Sequence, residues 1–247
     1  MGKNKLKKFA EMETFTNVFQ PPYEPMAGQW REKFFHNNHP IVLELGCGRG
    51  EYTVGLAKKY PEKNFIGVDI KGARMWAGAK QAVQEGIANA AFLRTNIEFI
   101  TQFFAPNEVD EIWITFCDPQ MKKATKRLTS TYFMQRYQQM VKSGGLIHLK
   151  TDSPFLYTYT TEMLRLNPYP VLCSTDDLYG KSTDGIEVFE DAKALQTHYE
   201  KQWLDRGMRI KYIEWKLLSM DRFEEPTIEI EKDTYRSYGR NYTSPES

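Results

Sequence analysis

The chain has 247 residues, 41% of them hydrophobic, and a formal net charge of +1: enough for one large core, and no charge excess that marks a polyanion-binding protein by composition alone. Cys47, Cys117 and Cys173 follow no metal-ligand spacing and are too few and scattered for a disulfide framework. No apolar run nears the roughly 20 residues of a membrane span and the first residues lack the apolar stretch of a secretory leader, so a cytoplasmic protein without bound metal or membrane contact is expected.

Lys3, Lys5, Lys7 and Lys8 open the chain. They read either as a solvated terminus or as a basic arm that reaches phosphates. Pro21, Pro22 and Pro25 mark a connector, after which residues 26–35 are expected to form a short helix packing Trp30, Phe34 and Phe35 on the main body.

Residues 41–69 are the most informative stretch. Ile41, Val42, Leu43 and Leu45 read as a buried parallel strand, interrupted by Glu44. Gly46, Gly48 and Gly50 then permit a tight turn that lets backbone N–H groups approach a ligand. A helix over 51–59 ends before Pro61, and a second strand over 64–69 ends in Asp69, about 20 residues past the glycines, where an acid meets ribose hydroxyls. The third glycine comes one residue earlier than in the dinucleotide fingerprint, and Glu44 stands two residues before the first. A carboxylate there can neutralise an ammonium group, which S-adenosylmethionine carries and NAD does not; the alternative is a strand acid paired with a nearby Lys or Arg. The pattern E-x-G-x-G-x-G resembles that of class I methyltransferases.

A helix over 72–85, with Met75, Trp76, Ala79 and Val83 on one face, is closed by Gly86. A third strand over 90–95 places Asn96 at its carboxyl end, either on the ligand or as a helix cap. The fourth strand, 111–117, runs into Asp118 and Pro119; proline stops the ladder, which leaves Asp118 at the cofactor edge, a catalytic address. Lys122, Lys123, Lys126 and Arg127 follow, placed to hold a polyanionic substrate. After a helix over 131–141, a fifth strand over 146–150 leads to Asp152, a second strand-end acid; His148 within it reads as a satisfied core residue. A helix over 153–165, a sixth strand near Val171, an exposed loop over 174–185, a helix over 192–206 and a last strand over 210–218 complete the chain. The expected fold is α/β, Rossmann-like, with a seven-stranded mostly parallel sheet and helices on both faces.

The ordered blocks ELGCGRG, GVD, FCDP with basic residues after it, LKTD, and the group Thr197 to Glu200 with Gly207 and Ile210 beyond it are similar to those of bacterial tRNA (guanine-N7)-methyltransferases. The resemblance covers residues 40–218, taken as the methyltransferase domain between a basic arm and connector (1–39) and a C-terminal extension (219–247). It implies methylation of guanine N7 in the tRNA variable loop (position 46), with S-adenosylmethionine as cofactor and tRNA as partner. By matching motif position it implies that Glu44, Gly46, Gly48, Asp69, Asn96 and Asp118 bind the cofactor, that Asp118 is also catalytic, and that Lys122, Asp152, Thr197 and Glu200 bind the substrate. Two features depart from the family pattern. Gln120 and Met121 follow the Asp-Pro pair, ahead of a shortened basic run, and the extension carries Glu224, Glu225, Glu229 and Glu231 before interleaved Tyr and Arg over 234–242. That tail reads as a docked or disordered appendage, or as an RNA clamp.

Rival readings are a class I methyltransferase acting on another nucleic-acid base or a small molecule, or a non-catalytic RNA-binding protein of the same fold. Amino-group DNA methyltransferases place two prolines and an aromatic after the strand-end acid or amide, of which this chain has Asp118 and Pro119 alone. Glu44, Asp69 and Asp118 together count against a purely binding role.

Overall fold

The computed structural model describes residues 3–235. In chain order the elements are α1 (Lys3–Met12), β1 (Val18–Phe19), β2 (Ile41–Leu45), α2 (Glu51–Lys59), β3 (Asn64–Val68), α3 (Gly72–Gln84), β4 (Ala90–Leu93), β5 (Val109–Thr115), α4 (Thr131–Tyr137), β6 (Val141–Thr151), α5 (Pro154–Leu166), β7 (Val171–Thr175), α6 (Glu187–Ala194), α7 (His198–Leu204) and β8 (Lys211–Lys216). A short π-helical turn at Trp30–Phe35 and a 3-10 turn at Ile97–Gln102 lie between them.

One eight-stranded sheet has the order β1-β4-β3-β2-β5-β6-β8-β7. Pairing is parallel from β1 to β6 and antiparallel at β6–β8 and β8–β7. The strand order reverses between β2 and β5, and in open parallel sheets that reversal opens a crevice beyond the strand carboxyl ends.

Burial on both faces explains the apolar strands. Along β2, Ile41, Leu43 and Leu45 enter one core with Ile112 and Ile114 of β5 and with α4 and α5, while Val42 enters the other with Trp113 and with α2, α3 and α6. The alternation is the strand period of two. Truncating a residue such as the fully buried Leu43 to Ala would cost about 2–5 kcal/mol.

The Rossmann-like class stands, with two corrections to detail. The sheet has eight strands rather than seven because Val18 and Phe19 pair with Phe92 and Leu93 at the edge of β4; two residues give no period to read. The single helix expected over 192–206 is two. Thr197 starts α7 with a capping box: its hydroxyl accepts from Glu200 N at 3.2 Å, and the Glu200 carboxylate accepts from Thr197 N at 3.4 Å. Leu195, in the break, lies where a Cβ on Gly55 of α2 would come within 2.7 Å, so that glycine makes room for it.

The strand acids away from the crevice form a buried cluster. His148 Nδ1 lies 2.7 Å from the Tyr212 hydroxyl, and its ring stacks on Trp113 at 4.0 Å. Glu111 accepts from Trp113 Nε1 and from Lys63 and faces His148 Nε2 at 3.1 Å. Burial alone would push Glu111 up; hydrogen bonding and charge from His148 and Lys63 outweigh it and hold the carboxyl at about 2. No helix among the described residues is long and apolar enough to cross a membrane, and no group of three or more His, Cys, Asp or Glu among them is placed to hold a metal ion.

Candidate active site

A cleft of about 550 Å³ opens over the carboxyl ends of β2, β3, β5 and β6 and is lined by Glu44, Gly46, Gly48, Asp69, Asp118 and Asp152, among others. A recess of about 620 Å³ adjoins it, shares Asp69, Gln120 and Lys126, and adds Asn96, Lys122 and Lys123.

The glycine turn forms the floor on one side. Gly46 and Gly48 have φ of +80° and +54°, values that side chains rarely adopt. A Cβ on Gly46 would meet nothing within 4 Å and one on Gly48 only Gly46 O at 3.9 Å, so open space lies in front of both. Gly50 serves packing instead: a Cβ there would lie 2.5 Å from Phe92 and 3.2 Å from Gly78 of α3.

Glu44 ties this side together. Its carboxylate accepts from Thr53 N at 2.8 Å, from the Thr53 hydroxyl, and from Thr115 Oγ1 at 2.8 Å. α2 has no side-chain cap at Gly50, so the strand acid takes over one of its orphan N–H groups. It thereby joins β2, α2 and β5 at one point, and among the described residues it forms no ion pair with a Lys or Arg. Burial pushes its pKa up to about 7, against the hydrogen bonds from Thr53 and Thr115 that pull it down. Four acceptor positions and three donors leave one for a ligand. Across the turn, Asp69 accepts from Gly48 N at 2.9 Å and Lys71 N at 2.8 Å, fixing its carboxylate beside the glycines.

Asp118 is exposed at the mouth, on strained backbone. Phe116 and Gln120, on either side, both have φ of +49°, in the left-handed region that costs a non-glycine residue about 1–3 kcal/mol. Asp118 accepts from Gln120 N at 3.0 Å. Arg127 supports the segment from below, donating to Gln120 O and Met121 O at 3.2 Å each while its guanidinium lies over Phe155 and Tyr159 at 4.8 and 4.4 Å. The basic run therefore divides. Arg127 is buried and holds the loop, Lys126 pairs with Glu98 at 2.6 Å, and Lys122 and Lys123 are exposed at the recess.

The remaining residues expected at the site are dispersed. Asn96 is a cap, accepting from Glu98 N at 3.2 Å, and faces the recess rather than the main cleft. Asp152 is fully buried at the cleft wall. Thr197 lines the cleft, but Glu200 lies beneath it, fully buried and paired with Lys150 at 2.7 Å and with the Tyr179 hydroxyl at 2.6 Å. Burial lowers the Lys150 amine to about 8 although Glu200 pulls it up.

Sequence reasoning missed several cleft residues. Tyr199 and Trp203 line it from α7, and their i, i+4 spacing was the available sign. Tyr235 donates to Asp152 Oδ2 at 2.6 Å across 83 positions, a contact with no local signal. The interleaved Tyr and Arg after Tyr235 lie outside the described residues, as do the side chains of the first four residues.

The model of a family described as putative methyltransferase matches residues 38–213. The tRNA (guanine-N(7)-)-methyltransferase of Bacteroides thetaiotaomicron is 57% identical, covering 99% of this chain and 98% of that protein. That of Porphyromonas gingivalis is 59% identical, covering 94% and 98%, and that of Clostridium acetobutylicum is 32% identical, covering 75% and 85%. Among solved structures, the 16S rRNA methyltransferase KamB superposes with a TM-score of 0.58 at 12% identity, covering 82% of this chain and 99% of that one, a likeness of fold alone. Identity at this level over nearly the whole length, with the same blocks meeting around one cleft, makes the chain a member of the tRNA (guanine-N(7)-)-methyltransferase family.

Proposed function

We propose that this protein transfers a methyl group from S-adenosylmethionine to N7 of a guanine in tRNA, in the variable loop (position 46). The observation that carries the reading is the meeting, in one cleft, of the open glycine turn and Asp69 with Asp118 and Asp152, in a chain 57% identical to a tRNA (guanine-N(7)-)-methyltransferase. Residues 40–218 would be the catalytic domain, with 1–39 and 219–247 as appendages to it.

The residues present fit the cofactor. The space in front of Gly46 and Gly48 admits a ligand against the backbone, and the acceptor position left on Glu44 suits an ammonium. Asp69 suits ribose hydroxyls, with Asn96 and Asp118 completing the set. When bound, S-adenosylmethionine supplies an electrophilic methyl group on a sulfonium. Guanine N7 bears a lone pair and no proton, so no base has to act before attack. The protein's task is to orient the acceptor. Asp118 and Asp152, which line the cleft, are the carboxylates that would hold the purine edge and stabilise the positive charge it acquires. Lys122 and Lys123, exposed at the adjoining recess, suit phosphates, and Thr197 lines the cleft that Asp152 also lines. Glu200 acts from below by fixing the start of α7.

The test is methyl-labelled S-adenosylmethionine with unmodified tRNA, followed by mapping of the labelled atom. Label at N7 of the variable-loop guanine is expected. Label on another atom, or none with a tRNA carrying that guanine, overturns the reading.

A further inference from the structure

The segment after β8 is fastened at four places before it reaches the cleft. Met220 and the Gln138 amide exchange two hydrogen bonds, at 2.9 and 3.2 Å, and so do Glu224 and Asn167, both at 2.9 Å. Glu225 accepts from the Thr131 hydroxyl at 2.6 Å at the start of α4, and from the Tyr159 hydroxyl. Asp233, itself 7% exposed, accepts from Phe155 N at 3.1 Å and from Ser153, the cap of α5, while its own N–H points at Met121 Sδ at 3.2 Å. Two acids of the tail are thus seated at two helix N-termini, where negative charge is favoured. Glu225 and Asp233 are side-chain anchors, and both lie outside residues 38–213 that the family model matches.

The anchors deliver Tyr235. Its hydroxyl donates to Asp152 Oδ2 at 2.6 Å, and its ring meets Trp203 edge-on at 5.3 Å. Both partners line the cleft, and Met121, which takes the Asp233 N–H, belongs to the loop that follows Asp118. A strap that served packing alone could end at Glu225. This one runs on to a wall of the acceptor side and closes on its buried acid.

We propose that Tyr235 is a positioning residue for methyl transfer, acting through Asp152. The phenol holds the Asp152 carboxylate by a hydrogen bond to Oδ2, so that the acid meets the acceptor base in one orientation. The strap carries this group into the site from beyond the last strand. The proposal rests on the functional reading above, in which Asp152 faces the acceptor.

Tyr235→Phe removes the donor and keeps the ring. In steady-state methylation with full-length protein, kcat is expected to fall about tenfold, the loss of one hydrogen bond to a charged group. KM for tRNA, the S-adenosylmethionine Kd and the melting temperature should stay within error or twofold. In an Asp152→Asn background the same change should alter kcat less than twofold, because the group it acts through has gone. Asp233→Asn, which loosens the anchor, should reproduce the kcat loss. An unchanged kcat in Tyr235→Phe overturns the proposal; so does a rise in KM alone, which would make Tyr235 an RNA contact, and so does a fall in melting temperature with a matching loss of cofactor binding, which would make it a fold residue. Wild-type protein run in parallel separates the two readings: label on a different atom overturns the functional reading, whereas label at N7 with an equally active variant overturns this inference alone.

Discussion

On the side of the cleft proposed to hold the donor, one continuous stretch from β2 to Asp69 supplies the turn, the acid that caps α2, and the acid that holds the turn. On the side proposed to hold the acceptor, Asp118, Asp152, Trp203 and Tyr235 arrive from four separate segments and are held by side chains: Arg127 under the Asp118 loop, Lys150 and Glu200 under α7, Tyr235 on Asp152. The donor side works mainly through backbone groups and glycine conformation, which sequence spacing dictates. The acceptor side depends on the whole fold being in place. A change on one side should therefore separate cleanly from the other in the measurement it moves.

The sharpest separation is expected at Asp118. Asp118→Ala should lower turnover at saturating S-adenosylmethionine by at least roughly 100-fold, with the melting temperature kept; near-normal turnover would move the charge-stabilising role elsewhere. Glu44→Gln should weaken S-adenosylmethionine binding about tenfold by calorimetry while tRNA binding is kept, and an equal loss of both would dissolve the division into two sides. Lys122→Ala and Lys123→Ala should each weaken tRNA binding a few-fold and reduce its salt slope by about 1, leaving cofactor affinity unchanged; an unaltered slope would put the phosphates on another surface.

The smallest effect is a pH dependence confined to the donor side. Burial raises Glu44 from 4.5 to about 7, so between those values the folded chain holds a proton that the unfolded chain has released. The contribution of this group to stability then falls as pH rises from 4.5 to about 7 and is level outside that window. A bound ammonium favours the ionised form, so S-adenosylmethionine affinity should rise with pH toward about 7. Titrations across that range should show the rise in wild type and a flat response in Glu44→Gln.

The same contrast explains what the sequence made legible. The β2 turn, its helix and Asp69 could be read because glycine conformation, strand period and helix length are local properties. Asp118 could be read because proline ends a strand. The inward turn of Arg127 could not, since a charge run says nothing about which of its members finds two rings to cover. The Thr197 to Glu200 group reads in the sequence as a substrate contact, but T-x-x-E is also a capping signature, and in the fold it places both residues at a helix start with Glu200 buried. Tyr235 needed the fold itself, because nothing near it in the chain anticipates Asp152.

The two-residue strand β1 bears on how the basic N-terminus should be studied. Phe92 N donates to Asn17 O and Arg94 N to Phe19 O, both at 2.8 Å, so β1 occupies the outer rim of β4. An open strand rim is a template for self-association. Deleting the first twenty or so residues to remove lysines would bare that rim, and any loss of tRNA methylation would be confounded with aggregation. Neutralising Lys5 and Lys7, which are exposed on α1, leaves the rim covered and isolates their charge.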